Sequence, residues 1–363
     1  MKKNICIVTG GTGGHIYPAL AFAQKIKTMD PDVRLLFIGN DDRMEAQLIP
    51  SYGYPFRALH TSGLTGTFIN KAKAIAQMLA SISKAKKYLT EFDADLVIGF
   101  GGYVTAPVIM AAHSKNIPII LHEQNSIVGK SNKIVMDKAN AIVTCYDKCD
   151  EVFPKEKIYK YGNPRATIAA ESEADEQYFQ SLGLKEGKKT ILIMMGSLGS
   201  SSVNELMKKA LKDLDQSIQV LYVCGKDNSQ DLDLFKGQKN IHVVPYVDTL
   251  KIYKKVDGLI CRAGATTIAE LTSLGIPSIL IPSPYVANNH QYYNAKMLVD
   301  QGAAYMIEEK DLNADSLSKA IQQVFLDPER YAHISSCAKA MGKENAAYDL
   351  ANLAEHLMKE KRV

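Results

Sequence analysis

The stretch TGGTGGHIYP, from Thr9 to Pro18, sets Gly10, Gly11, Gly13 and Gly14 directly after the apolar run Ile5-Cys6-Ile7-Val8 and directly before His15. Glycine at a strand-to-helix turn tolerates positive φ and lets backbone N–H groups approach a guest, and the start of the following helix favours negative charge. Phosphate is the commonest such guest. The loop is no dinucleotide fingerprint, because Gly11-x-Gly13 would need a glycine at position 16 and finds Ile16. Nor is it a P-loop, since no Gly-Lys-Ser/Thr follows. Similar segments recur at Gly99-Phe100-Gly101-Gly102-Tyr103, at Gly196-Ser197-Leu198-Gly199-Ser200 and at Arg262-Ala263-Gly264-Ala265-Thr266-Thr267. One such loop can be a tight turn without a ligand; several in one chain argue for one.

Two side chains beside these loops could do chemistry. His15 stands where a helix begins, either as an ordinary cap or as an imidazole that takes a proton from a substrate hydroxyl or hydrogen-bonds a sugar. Glu270 lies about one turn inside the helix opened by Ala265-Thr266-Thr267. It could complete a capping box from Thr267, or its two oxygens could accept both hydroxyls of a ribose held over the turn. D-x-D occurs at Asp93-Asp95, Asp213-Asp215 and Asp231-Asp233, the first on the wrong side of its strand and the others in helical or linker context. With no His/Cys/carboxylate cluster at ligand spacing, neither metal nor cofactor is expected.

The elements that must position these residues alternate. Apolar runs at Ile5–Val8, Arg34–Ile38, Leu96–Ile98, Pro118–Leu121 and Ala141–Thr144, then at Thr190–Met194, Gln219–Cys224, Ile241–Val244, Gly258–Cys261 and Pro277–Ile281, are each followed by a polar or glycine-rich cluster and a helical pattern. That predicts parallel sheets buried on both faces. The runs are too many for one open sheet, so the fold class is α/β with two Rossmann-like, doubly wound domains, 1–163 and 164–342, facing across a cleft. The helical pattern Asn345–Met358 could join either unit; we assign 343–363 back to the N-terminal one.

Composition narrows the class further. Six dispersed cysteines among 363 residues read as reduced packing thiols, and a net charge of +4 gives no reason to expect nucleic acid. No apolar stretch approaches the ~18–20 residues of a membrane span, and Met1-Lys2-Lys3-Asn4 leads into glycine too soon for a signal-peptide core, so a cytoplasmic chain is expected. From Ala46 to Thr90 there is no acid, while Arg57, Lys71, Lys73, Lys84, Lys86 and Lys87 are basic. Ile75, Met78, Leu79 and Ile82 form one helical stripe among those lysines, either a face packed on the sheet or a patch adsorbing to anionic lipid.

GGTGGHIYPAL, GGYVTAP, LHEQNS, GNPRA, RAGATTIAELTSLGIPSILIPSP and NHQYYNA, in this order, together resemble the MurG family of bacterial peptidoglycan glycosyltransferases, from Lys3 to about Leu353. The resemblance implies the GT-B architecture and an inverting transfer of N-acetylglucosamine from UDP-GlcNAc to the 4-hydroxyl of MurNAc-pentapeptide on undecaprenyl pyrophosphate, converting lipid I to lipid II. It places the enzyme peripherally on the cytoplasmic side of the cell membrane, with an anionic membrane surface as a further partner. It implies donor contacts from the Val247 backbone to uracil, from Glu270 to the ribose, and from Ser197, Ala265, Thr266 and Thr267 to the diphosphate. Asn125 and Gln291 would meet the sugar, with Arg165, Thr12, Gly13 and Gly14 near the donor. Gly101, Gly102 and Tyr103 would receive the acceptor pyrophosphate, and His15 and Glu270 are the candidate catalytic residues. Met195 departs from the pattern, standing where the family has the first glycine of a Gly-Gly-Ser. Rival readings are a UDP-GlcNAc 2-epimerase of the same architecture, a nucleotide-dependent oxidoreductase, against which the missing third glycine speaks, and a non-catalytic sugar-nucleotide binder.

Overall fold

The computed structural model describes residues 3–61, 68–195, 201–212, 214–225, 228 and 232–360, with the side chains of 68–75, 201, 202 and 205 excepted. The chain forms two compact units, one running to Arg165 and resuming at Asn345, the other spanning Ala166–Glu344.

In the first unit, β1 (Asn4–Val8), β2 (Arg34–Asn40), β3 (Phe56–Leu59), β4 (Leu96–Gly99), β5 (Ile119–Glu123), β6 (Ala141–Thr144) and β7 (Ile158–Tyr159) form a seven-stranded sheet in the order β3-β2-β1-β4-β5-β6-β7. Every pairing is parallel. The helices are α1 (Gly13–Met29), α2 (Met44–Ser51), α3 (Phe68–Phe92), α4 (Thr105–His113) and α5 (Lys130–Val135). β1 shows why its sequence is apolar from Ile5 to Val8. Ile5 and Ile7 enter one core with Phe22 and Ile26 of α1, and Cys6 and Val8 enter the opposite one with Val108 and Ile109 of α4. A parallel strand covered on both faces has no polar side.

The second unit contains α6 (Arg165–Glu171) beyond its first residue, then α7 (Glu176–Ser181), β8 (Lys189–Met194), α8 (Ser201–Ala210), β9 (Ile218–Val223), β10 (Ile241–Val244), β11 (Gly258–Cys261), α9 (Ala265–Leu274), β12 (Ser278–Leu280), α10 (His290–Asp300), β13 (Tyr305–Met306), α11 (Ala314–Ile321) and α12 (Pro328–Met341). Its six strands run in the order β10-β9-β8-β11-β12-β13, again all parallel. In each sheet the order reverses once, between β1 and β4 and between β8 and β11. Ligands of open parallel sheets bind beyond the strand ends at that reversal. Met195, the departure from the family pattern, is buried in the second core beside β8; residues 196–200, Ser197 included, lie outside the described residues.

The two-residue β7 and β13 and the half-exposed β3, which contains Arg57, are the strands that the apolar runs did not reveal. All three lie at or next to sheet edges, where one flank needs no apolar cover. The closing helix, α13 (Ala346–Glu360), packs on α1 and completes the first core with Leu350, Ala351, Leu353 and Ala354. Lys3 joins Asp30 at 2.9 Å and Glu355 at 2.8 Å, and Lys25 donates to the Tyr348 hydroxyl at 3.2 Å. All six cysteines are unbridged.

Leu350 is fully buried, so Leu350→Ala is expected to destabilise the first unit by about 2–5 kcal/mol. A fall in the urea midpoint that, multiplied by the m value, gives a loss of that size checks it; an unchanged midpoint would show that α13 adds nothing to the core.

Candidate functional site

The first reversal point gathers the opening loop and the loop after β4. Thr12 caps α1 with extended backbone, makes no side-chain cap bond, and leaves a first turn with no acid. α2, α4, α5 and α10 likewise lack a side-chain cap bond, whereas α7, α11 and α12 carry caps from Asp175, Asn313 and Asp327. The N-terminus of α1 therefore keeps its positive end uncompensated by its own residues. A Cβ at Gly11, where φ is 95°, would meet nothing within 4 Å, and at Gly14 only the Thr12 hydroxyl at 3.6 Å. These two glycines form the open side of the loop.

The other side is packed. A Cβ on Gly102, where φ is 91°, would overlap the Gly10 carbonyl, and one on Gly101, where φ is 107°, would lie 2.7 Å from His15 Cδ2 and 2.9 Å from Nε2. The glycines after β4 are there so that its loop can lie against the loop after β1. His15 Nδ1 is 3.0 Å from the Gly10 carbonyl. A carbonyl can only accept, so Nδ1 carries the proton, and in the neutral ring Nε2, on the Gly101 side, holds the lone pair. Tyr103, just beyond, is half exposed. Arg165 lies over the Tyr17 ring, 5.7 Å from its centroid, and that ring also lies 3.0 Å from a Cβ built on Gly13. The structure thus brings Arg165 to the face of α1 that carries Gly13.

Beneath this loop runs a buried polar chain that the motif reading quoted without assigning roles. Gln124 Nε2 donates to the Phe100 carbonyl at 2.9 Å, and its oxygen lies 3.1 Å from His122 Nδ1, while His122 Nε2 lies 3.0 Å from the Gly162 carbonyl. Burial holds the His122 pKa below the usual imidazole range, against two acceptors that favour its protonated form. Glu123, its pKa pushed up by burial, accepts from Gly129 N–H at 2.9 Å, Asn132 Nδ2 at 3.0 Å and Asn125 N–H at 3.2 Å. The Asn125 side chain also bonds Glu123, so the residue expected to meet the sugar is anchored by a buried carboxyl. Asn163 Oδ1 accepts the Arg165 N–H at 3.0 Å.

At the second reversal, α9 starts at Ala265 behind its cap residue Gly264, again with no side-chain cap bond and no acid in the first turn. Thr267 is the third helical residue and Glu270 the sixth, so no capping box holds Glu270. Glu270 is buried and accepts from the Tyr253 hydroxyl at 2.8 Å; burial, then the neighbouring Glu270, keep that phenol well above its usual pKa. The Thr266 hydroxyl is buried without a hydrogen-bond partner, and Ala265 is buried at the helix start. Arg262 is spent on structure, pairing with Glu309 at 2.6 Å and donating to the Ile281 carbonyl at 3.1 Å. Asn294 of α10 holds the turn through the Ala263 carbonyl at 3.2 Å, and Gln291 Oε1 accepts the Ser283 N–H at 2.9 Å. Val247 is buried beyond β10, next to Asp248, whose N–H donates to Tyr178 at 3.0 Å. Among the described residues no three His, Cys, Asp or Glu side chains group as metal ligands. Asp95 of the D-x-D pairs accepts the Asn4 N–H at 2.9 Å.

Glu45 and Tyr253 lie outside every motif read from the sequence, and Gln124 lies inside one with no role of its own. Glu45 follows β2, whose exit carries no glycine cluster; Tyr253 sits in a segment with no motif at all.

Residues 5–144 match the glycosyltransferase family 28 N-terminal domain and residues 190–353 its C-terminal domain. A UDP-N-acetylglucosamine--N-acetylmuramyl-(pentapeptide) pyrophosphoryl-undecaprenol N-acetylglucosamine transferase of Bacillus cereus is 38% identical, over 98% of this chain and 100% of its own. The protein of that description from Halalkalibacterium halodurans is 39% identical over 98% and 99%. Among solved structures, Acinetobacter baumannii MurG superposes with a TM-score of 0.78 at 27% identity, covering 98% of this chain and 99% of that one. A UDP-N-acetylglucosamine 2-epimerase, at 15% identity and a TM-score of 0.70 over 100% and 98% of the two chains, shares the fold alone.

Gly102→Ala adds a Cβ against the Gly10 carbonyl at positive φ, whereas Gly53→Ala, at φ 79°, meets nothing within 4 Å. Gly53→Ala is expected to cost about 1–2 kcal/mol of backbone strain, and Gly102→Ala distinctly more. Chemical denaturation of the two variants checks the order, and equal losses would mean that the loops are not pressed together.

Proposed function

The chain belongs to glycosyltransferase family 28, and on that premise we infer that it is an N-acetylglucosaminyltransferase of peptidoglycan synthesis, acting on UDP-N-acetylglucosamine and N-acetylmuramyl-(pentapeptide) pyrophosphoryl-undecaprenol, lipid I. The observation that carries this is 38% identity sustained over 98% of the chain.

The roles of individual residues go further. In this reading the second unit binds the donor: the N–H groups of Ala265, Thr266 and Thr267, the Thr266 hydroxyl and Ser197 take the diphosphate, Glu270 the ribose, the Val247 backbone the uracil, and Gln291 the sugar. The uncapped start of α9 and the unpartnered Thr266 hydroxyl support it. From the first unit, Thr12, Gly13, Gly14, Asn125 and Arg165 serve the donor, and Gly101, Gly102 and Tyr103 receive the acceptor pyrophosphate. His15 is the general base, removing the proton of the attacking 4-hydroxyl through Nε2. The Gly10 carbonyl supports that role by fixing the tautomer. As the sugar leaves with inversion, negative charge grows on UDP, and fixed N–H dipoles stabilise it with little reorganisation.

No helix among the described residues is long and apolar enough to cross a membrane. The enzyme meets its lipid substrate as a peripheral protein on the cytoplasmic membrane face, through α3. On that helix Lys84, Lys86 and Lys87 are exposed, and Leu79 is 64% exposed, whereas Met78 and Ile82 pack on the sheet. The apolar stripe is therefore divided between core and surface.

Radiolabelled UDP-GlcNAc with a short-chain lipid I analogue is expected to give labelled disaccharide lipid at the same rate in EDTA, and UDP-GlcNAc alone to give no UDP-ManNAc. His15→Ala should lower kcat by about 10²–10⁴; an undiminished kcat removes His15 from the chemistry. Changing Lys84, Lys86 and Lys87 to glutamine is expected to weaken adsorption to anionic vesicles and flatten its salt dependence. Unaltered adsorption with the same salt response would dismiss α3 as the contact.

A further inference from the structure

We propose that Glu45 is the positioning residue of the opening glycine loop, its buried carboxyl group setting the place of Gly10 and thereby the orientation of His15. The proposal deepens the reading of that loop as part of the transfer site and rests on it.

Glu45 is the second residue of α2. A glutamate in a first helical turn ordinarily points to water and complements the helix dipole. This one is fully buried. Its Oε2 accepts the Gly11 N–H at 3.1 Å and its Oε1 accepts the Asn40 N–H at 3.0 Å. Both oxygens are therefore committed to backbone donors from two different strand exits, those of β1 and β2. The surroundings are cut to admit it: a Cβ on Gly39 would lie 2.6 Å from Glu45 Cγ, and a Cβ on Gly10 would overlap Oε1. An apolar side chain could hold α2 against the sheet without the desolvation cost of a carboxyl group. What the carboxyl adds is a fixed acceptor for Gly11.

Gly10 transmits the constraint. Its α-carbon lies against the Glu45 carboxyl, and its carbonyl accepts His15 Nδ1–H at 3.0 Å and fills the space that a side chain on Gly102 would need. If Gly11 moves off Oε2, the Gly10 carbonyl turns with it, and His15 loses the acceptor that selects its tautomer. Glu45 touches no reacting atom in this scheme and acts only through the loop.

Glu45→Gln keeps the volume but points an NH2 group at one of the two N–H donors, breaking one bond. Steady-state kinetics with the lipid I analogue on the wild type, Glu45→Gln, His15→Ala and the double variant separate the outcomes. The expected result is a kcat lowered roughly 10–100-fold in Glu45→Gln, an unchanged KM for UDP-GlcNAc, and a double variant no slower than His15→Ala alone. Wild-type turnover in Glu45→Gln, or the same fold-loss in both backgrounds, would overturn the proposal. If His15→Ala itself is fully active, the reading of the loop fails instead. The Gly11 amide resonance in protein labelled with 15N-glycine tests the bond independently of activity: it should move upfield in Glu45→Ala, which removes both acceptor oxygens, and an unmoved resonance would refute the contact. Should Glu45→Gln not fold, Gly10→Ala displaces the loop with Glu45 intact, and must show the same non-additivity with His15→Ala.

Discussion

One carbonyl oxygen, that of Gly10, occupies the point through which the loops leaving β1 and β4 in the first unit are organised. β1 and β4 are hydrogen-bonded neighbours, so the loops leaving them start from adjacent strand ends and have to share the space above. They do so by removing side chains: Gly102 yields to the carbonyl, Gly101 to the His15 ring, and Gly10 itself to Glu45. Glycines usually read as an opening for a ligand are here divided by function. Gly11 and Gly14 face open space, and the others let the protein's own backbone close on itself.

The two units solve the same topological problem differently. Each reverses strand order once and starts a helix there without a side-chain cap, leaving N–H donors and a positive dipole end at the reversal. In the first unit the support beneath is made of buried polar residues, His122, Glu123 and Gln124, bonded to the backbone of neighbouring loops. In the second it is made of side-chain pairs that lock elements together, Tyr253 on Glu270 and Arg262 on Glu309. Such networks carry a desolvation cost that apolar packing would avoid. They are concentrated under the loops that the proposed reaction needs held still.

Where the sequence was readable, the reason was local. An apolar run followed by glycine needs no partner to be recognised, so the strands at the centre of both sheets and the loops leaving them could be located from spacing alone. Three of the four edge strands were missed because β7 and β13 contribute two residues each, and β3 places Arg57 at its exposed flank; the fourth, β10, carries an apolar run and was found. Glu45 was missed for a different reason. Nothing in its neighbours, Met44 and Ala46, distinguishes a buried carboxyl from the solvated acid that most first helical turns carry.

The sequence alone determined the fold class and the chemistry available: two parallel-sheet α/β units, a set of bare-backbone turns at strand exits, a histidine at one helix start and a glutamate one turn inside another helix. These depend on residue type and on separations of a few positions. Only the tertiary structure decided which glycines open outward and which are closed by Glu45, Gly10 or His15. It also decided that Nδ1 of His15 carries the proton, and that α13 completes the first core. The His15 contact spans only five residues, but its geometry is set by how the loop folds; the others depend on contacts between segments tens to hundreds of residues apart, and through-space distance is what spacing along a chain does not encode.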